Sequence, residues 1–205
     1  MFVPRPALAV ATALALVAAV PVPSRADAGT WTVSPGGAVS ATAPAEIRNT
    51  TKNWTIGCTA TFSGTAPAGA GHSPYGLISF DQGSLTACAG PNALTTTSTV
   101  VNLPWDFYAG SYDAVQGRTS GTLNNLALTL DVSNGCRADV SAPDGAPGTT
   151  DAAYANAGGT LTLSGAHMKV TFTNYRCTTD LVAPGDQIEL AAVLPLTPAQ
   201  TITSP

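Results

Sequence analysis

Apolar residues recur along this chain with a period of two. Leu126, Leu128, Leu130 and Val132 fall on one side of an extended segment, with Ala127, Thr129 and Asp131 on the other. Met168, Val170 and Phe172 alternate in the same way with Lys169, Thr171 and Thr173, and Leu161 and Leu163 with Thr160, Thr162 and Ser164. Such alternation sets one face of a strand against a core and the other against water, the mark of half-buried antiparallel strands. The same reading predicts strands at 30–33, 39–42, 46–51, 56–63, 77–81, 95–101, 107–112 and 188–194. Turn formers punctuate them: Pro35-Gly36-Gly37, Gly69-Ala70-Gly71, Pro143-Asp144-Gly145, Gly158-Gly159 and Pro184-Gly185-Asp186. The stretch 141–159 is rich in Ala, Gly and Pro and reads as a long surface loop with one weak strand at 152–154. No 3.6-residue period follows the N-terminal region. About ten short strands of this kind predict an all-β fold, an antiparallel β-sandwich or barrel.

The N-terminus departs from this pattern. Arg5 precedes an apolar run from Ala7 to Val20, Pro21 and Pro23 break it, and Ala26-Asp27-Ala28 supplies the small-x-small pattern of signal cleavage. The run is too short to cross ~30 Å of hydrocarbon as a helix, and no Cys stands near the cleavage point. Residues 1–28 are therefore read as a signal peptide and 29–205 as a single secreted β-domain, with no membrane attachment after cleavage. Export sets how the cysteines are read. Cys58, Cys88, Cys136 and Cys177 are an even set bound for an oxidising compartment, so two disulfides are expected. Three pairings are open; Cys58–Cys88 with Cys136–Cys177 closes the shorter loops and is preferred. No CxxC knuckle exists, so no metal site is expected.

Charge narrows the function classes. The chain has a formal net charge of −4, and only 10% of its residues are charged while 44% are hydrophobic. Lys52 and Lys169 are its only lysines, too few cations to neutralise nucleic-acid phosphates or hold an anionic membrane surface. Disorder is excluded on the same figures, since it goes with low hydrophobicity and high charge.

Several segments carry a family resemblance. Trp31-Thr32-Val33-Ser34-Pro35-Gly36-Gly37-Ala38-Val39-Ser40, Leu103-Pro104-Trp105 with Tyr112-Asp113-Ala114 and Gly117, Gly185-Asp186 and the ending Gln200-Thr201-Ile202-Thr203-Ser204-Pro205 resemble a group of uncharacterised secreted actinobacterial proteins. The resemblance implies an exported, β-rich, disulfide-bonded domain, and it brings no chemistry with it.

Catalysis needs a constellation, and the sequence offers few. His72 and His167 sit in loop-like or strand-start settings, and no GxSxG elbow, HExxH pair or DxDxDG calcium loop occurs. Asp186 and Glu189 fall short of the ligands calcium takes. The best candidate contact site is Trp105, Asp106, Tyr108, Tyr112 and Asp113, where Asp106 and Asp113 would flank a groove as a glycosidase pair. The alternative reading makes Trp105 a core anchor, with Asp106 and Asp113 serving turns; on it, Asp106→Asn and Asp113→Asn leave folding nearly unchanged. The sequons Asn49-Thr50-Thr51 and Asn53-Trp54-Thr55 suggest an exposed stretch with Trp54 at the surface. No catalytic residue and no cofactor is assigned. The function read from the sequence is a non-catalytic secreted β-domain, binding or structural at the cell surface or in the medium. Its partner is an unknown protein, a wall polymer or a small molecule. The alternatives are an extracellular small-molecule carrier and a hydrolase using Asp106 and Asp113.

Overall fold

The structure is a computed structural model that describes residues 30–90, 95–165 and 167–204. The predicted signal peptide and its cleavage point before Gly29 lie outside the described residues. The chain enters through β1 (Trp31–Ser34) and begins a meander with β2 (Gly37–Asn49), β3 (Trp54–Ala66), the short β4 (Gly69–His72) and β5 (Tyr75–Ala89). The next position in the wall is shared end to end by β6 (Thr95–Val101) and β7 (Trp105–Asp113), followed by β8 (Arg118–Val132). Next, β9 (Arg137–Ser141) and β10 (Gly148–Ala155) share one position, and β11 (Thr160–Ser164) and β12 (Met168–Thr173) another. β13 (Gln187–Pro195) completes the wall and β14 (Thr201–Thr203) ends the chain.

Each position pairs antiparallel with its successor, and β13 pairs back onto β2 from Ile188↔Asn49 to Ala192↔Ala45. The all-β expectation thus resolves into a closed up-and-down barrel. Counting shared positions once gives eight staves, a number whose interior side chains can just fill. Phe62 stands at the centre, its ring 5.3 Å from Phe80 and 5.4 Å from Trp105. A small residue makes room for these rings: a Cβ on Gly83 would lie 2.6 Å from Phe62 Cδ1.

Both ends of the barrel are covered. At one, β14, β1 and β4 form a separate sheet that buries Trp31, Val33 and Ile202 in the common core. Side chains of the wall complete its hydrogen bonding. The Tyr154 hydroxyl donates to the Gln200 carbonyl (2.6 Å) and accepts from its N–H (2.8 Å). The Asn156 amide does the same for Ile202, at 2.9 and 2.8 Å. Burial pushes the Tyr154 phenol above the ordinary tyrosine range, with the Gln200 hydrogen bond acting the other way. At the opposite end the segment 174–186 folds across the opening. Cys136–Cys177 ties its start to the β8–β9 turn. The Asp186 carboxylate holds its end by accepting from Asn49 Nδ2 (2.9 Å) and the Ala183 N–H (3.0 Å). Cys58–Cys88 staples β3 to β5 nearby. Both bridges follow the preferred pairing.

Several local expectations are corrected. The loop expected over 141–159 contains β10, bonded to both β8 and β11. Its inward positions are Gly148, Thr150, Ala152 and Tyr154, mostly too small to register as a hydrophobic pattern. A Cβ on Gly148 would lie 2.7 Å from Met168 Cγ, so smallness is what the packing demands there. Gly69-Ala70-Gly71, expected as a turn, lies in β4 and pairs with β1. Strands 39–42 and 46–51 are one strand running through Pro44. Pairing with β13 stops at Ala45 and recurs only as the Ser40–Thr197 bridge, so the missing Pro44 N–H falls where that edge has no ladder partner. Phe172, expected on the inner face with Val170, is 50% exposed because a bulge between them shifts the register. Asn49 is fully buried, so its sequon is not a surface feature. Trp54 is half-buried and packs against the core rather than standing free.

Candidate functional site

The predicted contact residues lie along β7, and alternation splits them between two environments. Trp105, Phe107 and Ala109 point inward; Trp105 is fully enclosed and has no surface to offer a partner. Asp106 and Tyr108 occupy the intervening positions and project from the outer wall. Asp106 is nonetheless only 7% exposed, because neighbours in register close over it. Ser79 lies directly across from it on β5 and donates from Oγ to Oδ1 at 2.6 Å. The Tyr75 hydroxyl and Asn125 Nδ2 both donate to Oδ2, each at 3.2 Å. Asn125 takes a left-handed backbone (φ 67°) that turns its amide toward the site, where Nδ2 also reaches the Pro104 carbonyl at 3.1 Å. A buried carboxylate with both oxygens engaged by neighbouring side chains is a positioned acceptor rather than a group presented to a substrate.

What this network holds in place is Tyr75, one of a cross-strand pair of tyrosines. Tyr75 pairs with Tyr108 across β5 and β7, and the two side chains are 50% and 41% exposed. Tyr75 is fastened through its hydroxyl to Asp106, so its ring faces solvent in a fixed pose. Tyr75, Ser79 and Asn125 are additions to the predicted set. They come from β5 and the middle of β8, and only strand register brings them to Asp106. Tyr112 is half-buried against the core, opposite Thr119. Asp113 lies at the far end of the strand. Its Oδ1 accepts from the N–H groups of Val115 (2.9 Å) and Gln116 (3.1 Å), the side-chain cap of the β7–β8 turn. The two aspartates therefore sit on one strand in separate roles and do not face each other across a cleft.

This geometry corrects the expectation that neither carboxylate matters to folding. Asp106→Asn puts an amide N–H₂ against donors already aimed at the carboxylate, and is expected to lower stability by about 1–3 kcal/mol. Asp113→Asn keeps a capping oxygen and is expected to stay within about 0.5 kcal/mol. Urea denaturation of the two variants checks the contrast; equal stabilities would contradict the network.

Neither histidine meets a nucleophile in these contacts. His72, the last residue of β4, bonds to the carbonyl of Ala68 just before that strand (3.1 Å), and His167 meets Asp151 on the outer surface (3.3 Å). No group of three or more His, Cys, Asp or Glu placed to hold a metal occurs among the described residues. A second concave feature, missed in the sequence, lies at the disulfide end of the barrel. It is a crevice of about 20 Å³ lined by Trp54, Ile56, Leu130, Val132, Ala138, Leu181 and Val182 among others, presenting only apolar surface. Its walls come from β3, Gly90 after β5, Thr96 of β6, β8, β9 and the covering segment, so no local pattern marks it.

A family model described as "Alkane oxidation protein activator PraA/PraB-like" matches residues 5–204. The chain belongs to that family. The description names an activator rather than an oxidising enzyme, which fits a non-catalytic accessory role. No curated protein and no solved structure matches the chain.

Proposed function

We propose that this protein is an exported, non-catalytic accessory factor in alkane use, acting by contact with apolar matter rather than by reaction. The carrying observation is the Tyr75–Tyr108 pair. Two tyrosines occupy paired positions and stand exposed on a barrel wall, and the Asp106–Ser79–Asn125 network holds Tyr75 through its hydroxyl. Tyrosine is suited to such a boundary, having an apolar body and a polar tip. The surroundings favour the same reading, with a chain of low charge density and two disulfides that fit an oxidising compartment outside the cytoplasm. The hydrolase alternative loses its footing once Asp106 and Asp113 are each committed to structural hydrogen bonds. The carrier alternative keeps one observation in its favour, the apolar crevice.

Adsorption tests the reading. Mature protein shaken with hexadecane droplets is expected to partition to the droplet surface, and Tyr75→Ser/Tyr108→Ser to do so at least tenfold more weakly while still folded, its stability lowered only by the lost Tyr75–Asp106 hydrogen bond. Equal adsorption by the double variant would remove the tyrosine pair from the function. No adsorption by the parent would remove contact with alkane altogether.

A further inference from the structure

We propose that the barrel wall has a lateral gate between β2 and β13, which parts over residues 41–44 and 193–196 when the protein meets an apolar surface. This deepens the proposed function and rests on it for that surface; the weakness of the seam is read from the ladder itself. The two strands keep one register throughout. On one side of the gap pairing ends at Ala192↔Ala45, and on the other the Ser40↔Thr197 bridge resumes it, with 41–44 facing 193–196. At that bridge each N–H donates to the other residue's carbonyl, at 2.9 and 2.8 Å. Doubly bonded pairs recur at every second residue of an antiparallel ladder, so the next two are Thr42 with Pro195 and Pro44 with Val193. Each contains one proline and so lacks one donor. The two lost bonds are those that would enclose Ala43 and Leu194, and the ladder is interrupted there. Proline is ordinarily confined to strand edges for want of that donor. Two of them facing across a seam put a short edge inside a closed wall.

The ladders on either side are intact. β2 pairs with β3 from Gly37↔Ala66 to Asn49↔Trp54, and β13 pairs with β11 from Thr160↔Pro195 to Leu163↔Ala192. Each lip of the seam is therefore carried by its own neighbour when the two part. What closes the seam is packing: Ala41, Ala43, Leu194 and Leu196 are buried on its inner side, where β2 supplies only methyl groups. In water this strip keeps the lips together, because opening would wet it. Against hydrocarbon the same strip gains contact, and Pro44, Val193 and Pro195 stand exposed on the outer side of the seam to meet that surface first. An apolar surface thus touches more of the open state than of the closed one, which is what a shift between them requires.

Thiol labelling of the intact, oxidised protein with iodoacetamide tests the gate. Ala43→Cys places a thiol on the inner side of the seam. Ala60→Cys places one directly opposite Ala43 on β3, equally buried but behind an unbroken ladder. On protein adsorbed to hexadecane droplets, Ala43→Cys is expected to react at least tenfold faster than it does in water, and Ala60→Cys to stay slow in both. Pro44→Thr/Pro195→Thr returns both donors from the outer face and should slow the labelling of Ala43→Cys about tenfold, the effect of two restored hydrogen bonds. Pro44→Thr alone, with a smaller slowing, serves if the double variant folds poorly. Adsorption without faster labelling, or labelling that the restored donors leave unchanged, would overturn the gate. A parent that does not adsorb would sink the surface role instead. Labelling in water then decides the seam: slowing by the restored donors upholds it, and no slowing removes it.

Discussion

Trp105→Ala will lower the stability of this protein by about 3–5 kcal/mol, the range for truncating a large buried aromatic, and its melting temperature by on the order of 10 °C. The indole is completely enclosed, and its ring stacks at a tilt 5.4 Å from Phe62, which in turn meets Phe80. These rings come from β7, β3 and β5, so truncation opens a cavity at the centre of the barrel that none of the three strands can collapse to fill. Tyr108→Ala, three residues along the same strand but on the outer wall, is expected to change stability by no more than about 0.5 kcal/mol. Thermal unfolding followed by circular dichroism compares them directly. A stable Trp105→Ala protein that had lost only a binding activity would restore Trp105 to the contact site and refute its place in the core.

The second large effect concerns the bridges. Cys58–Cys88 and Cys136–Cys177 close loops with sequence separations of 30 and 41 residues, and loops of that size confer about 3–4 kcal/mol each in the chain-entropy account. Their sum is comparable with the whole stability of a typical domain, about 5–15 kcal/mol. Replacing all four cysteines by serine is therefore expected to leave a protein that is largely unfolded or melts far below the parent. The two bridges should also differ in kind. Cys58–Cys88 joins neighbouring strands, whereas Cys136–Cys177 pins the segment covering one end of the barrel. Cys136→Ser/Cys177→Ser should consequently speed amide exchange across 178–183 before it affects the barrel centre. Exchange that rises uniformly over the whole chain would mean the covering segment is not an independently fastened element.

Much of this architecture is legible in the residues. The run Leu126–Leu128–Leu130 declares its inward face because large apolar side chains alternate there without interruption, and the structure buries all three. Where legibility fails, the causes are specific. β10 turns Gly148, Thr150 and Ala152 inward, and a wall position opposite Met168 calls for small residues that hydropathy does not mark. Phe172 reads as core by simple alternation, but a bulge after Val170 reverses its direction, and a period of two cannot survive one inserted residue. The candidate site divides in the same manner. Asp106 and Tyr108 stand out beside Trp105 in the sequence. Tyr75, Ser79 and Asn125 do not, because their partnership with Asp106 spans 31, 27 and 19 residues and exists only through register.

The residues by themselves determined the strand-forming character of the chain and the scarcity of reactive groups, and favoured the cysteine pairing that the structure shows. Each of these follows from local periodicity, from loop length or from composition, which are properties of the chain before it folds. Tertiary structure alone decided that the meander closes, that Asp106 is a fastening and Trp105 a core side chain, and that an apolar crevice forms between β3, β8, β9 and the covering segment. Those outcomes depend on which strands meet and in what register. Register is settled by the packing of side chains far apart in sequence, and no short window of the chain contains that information.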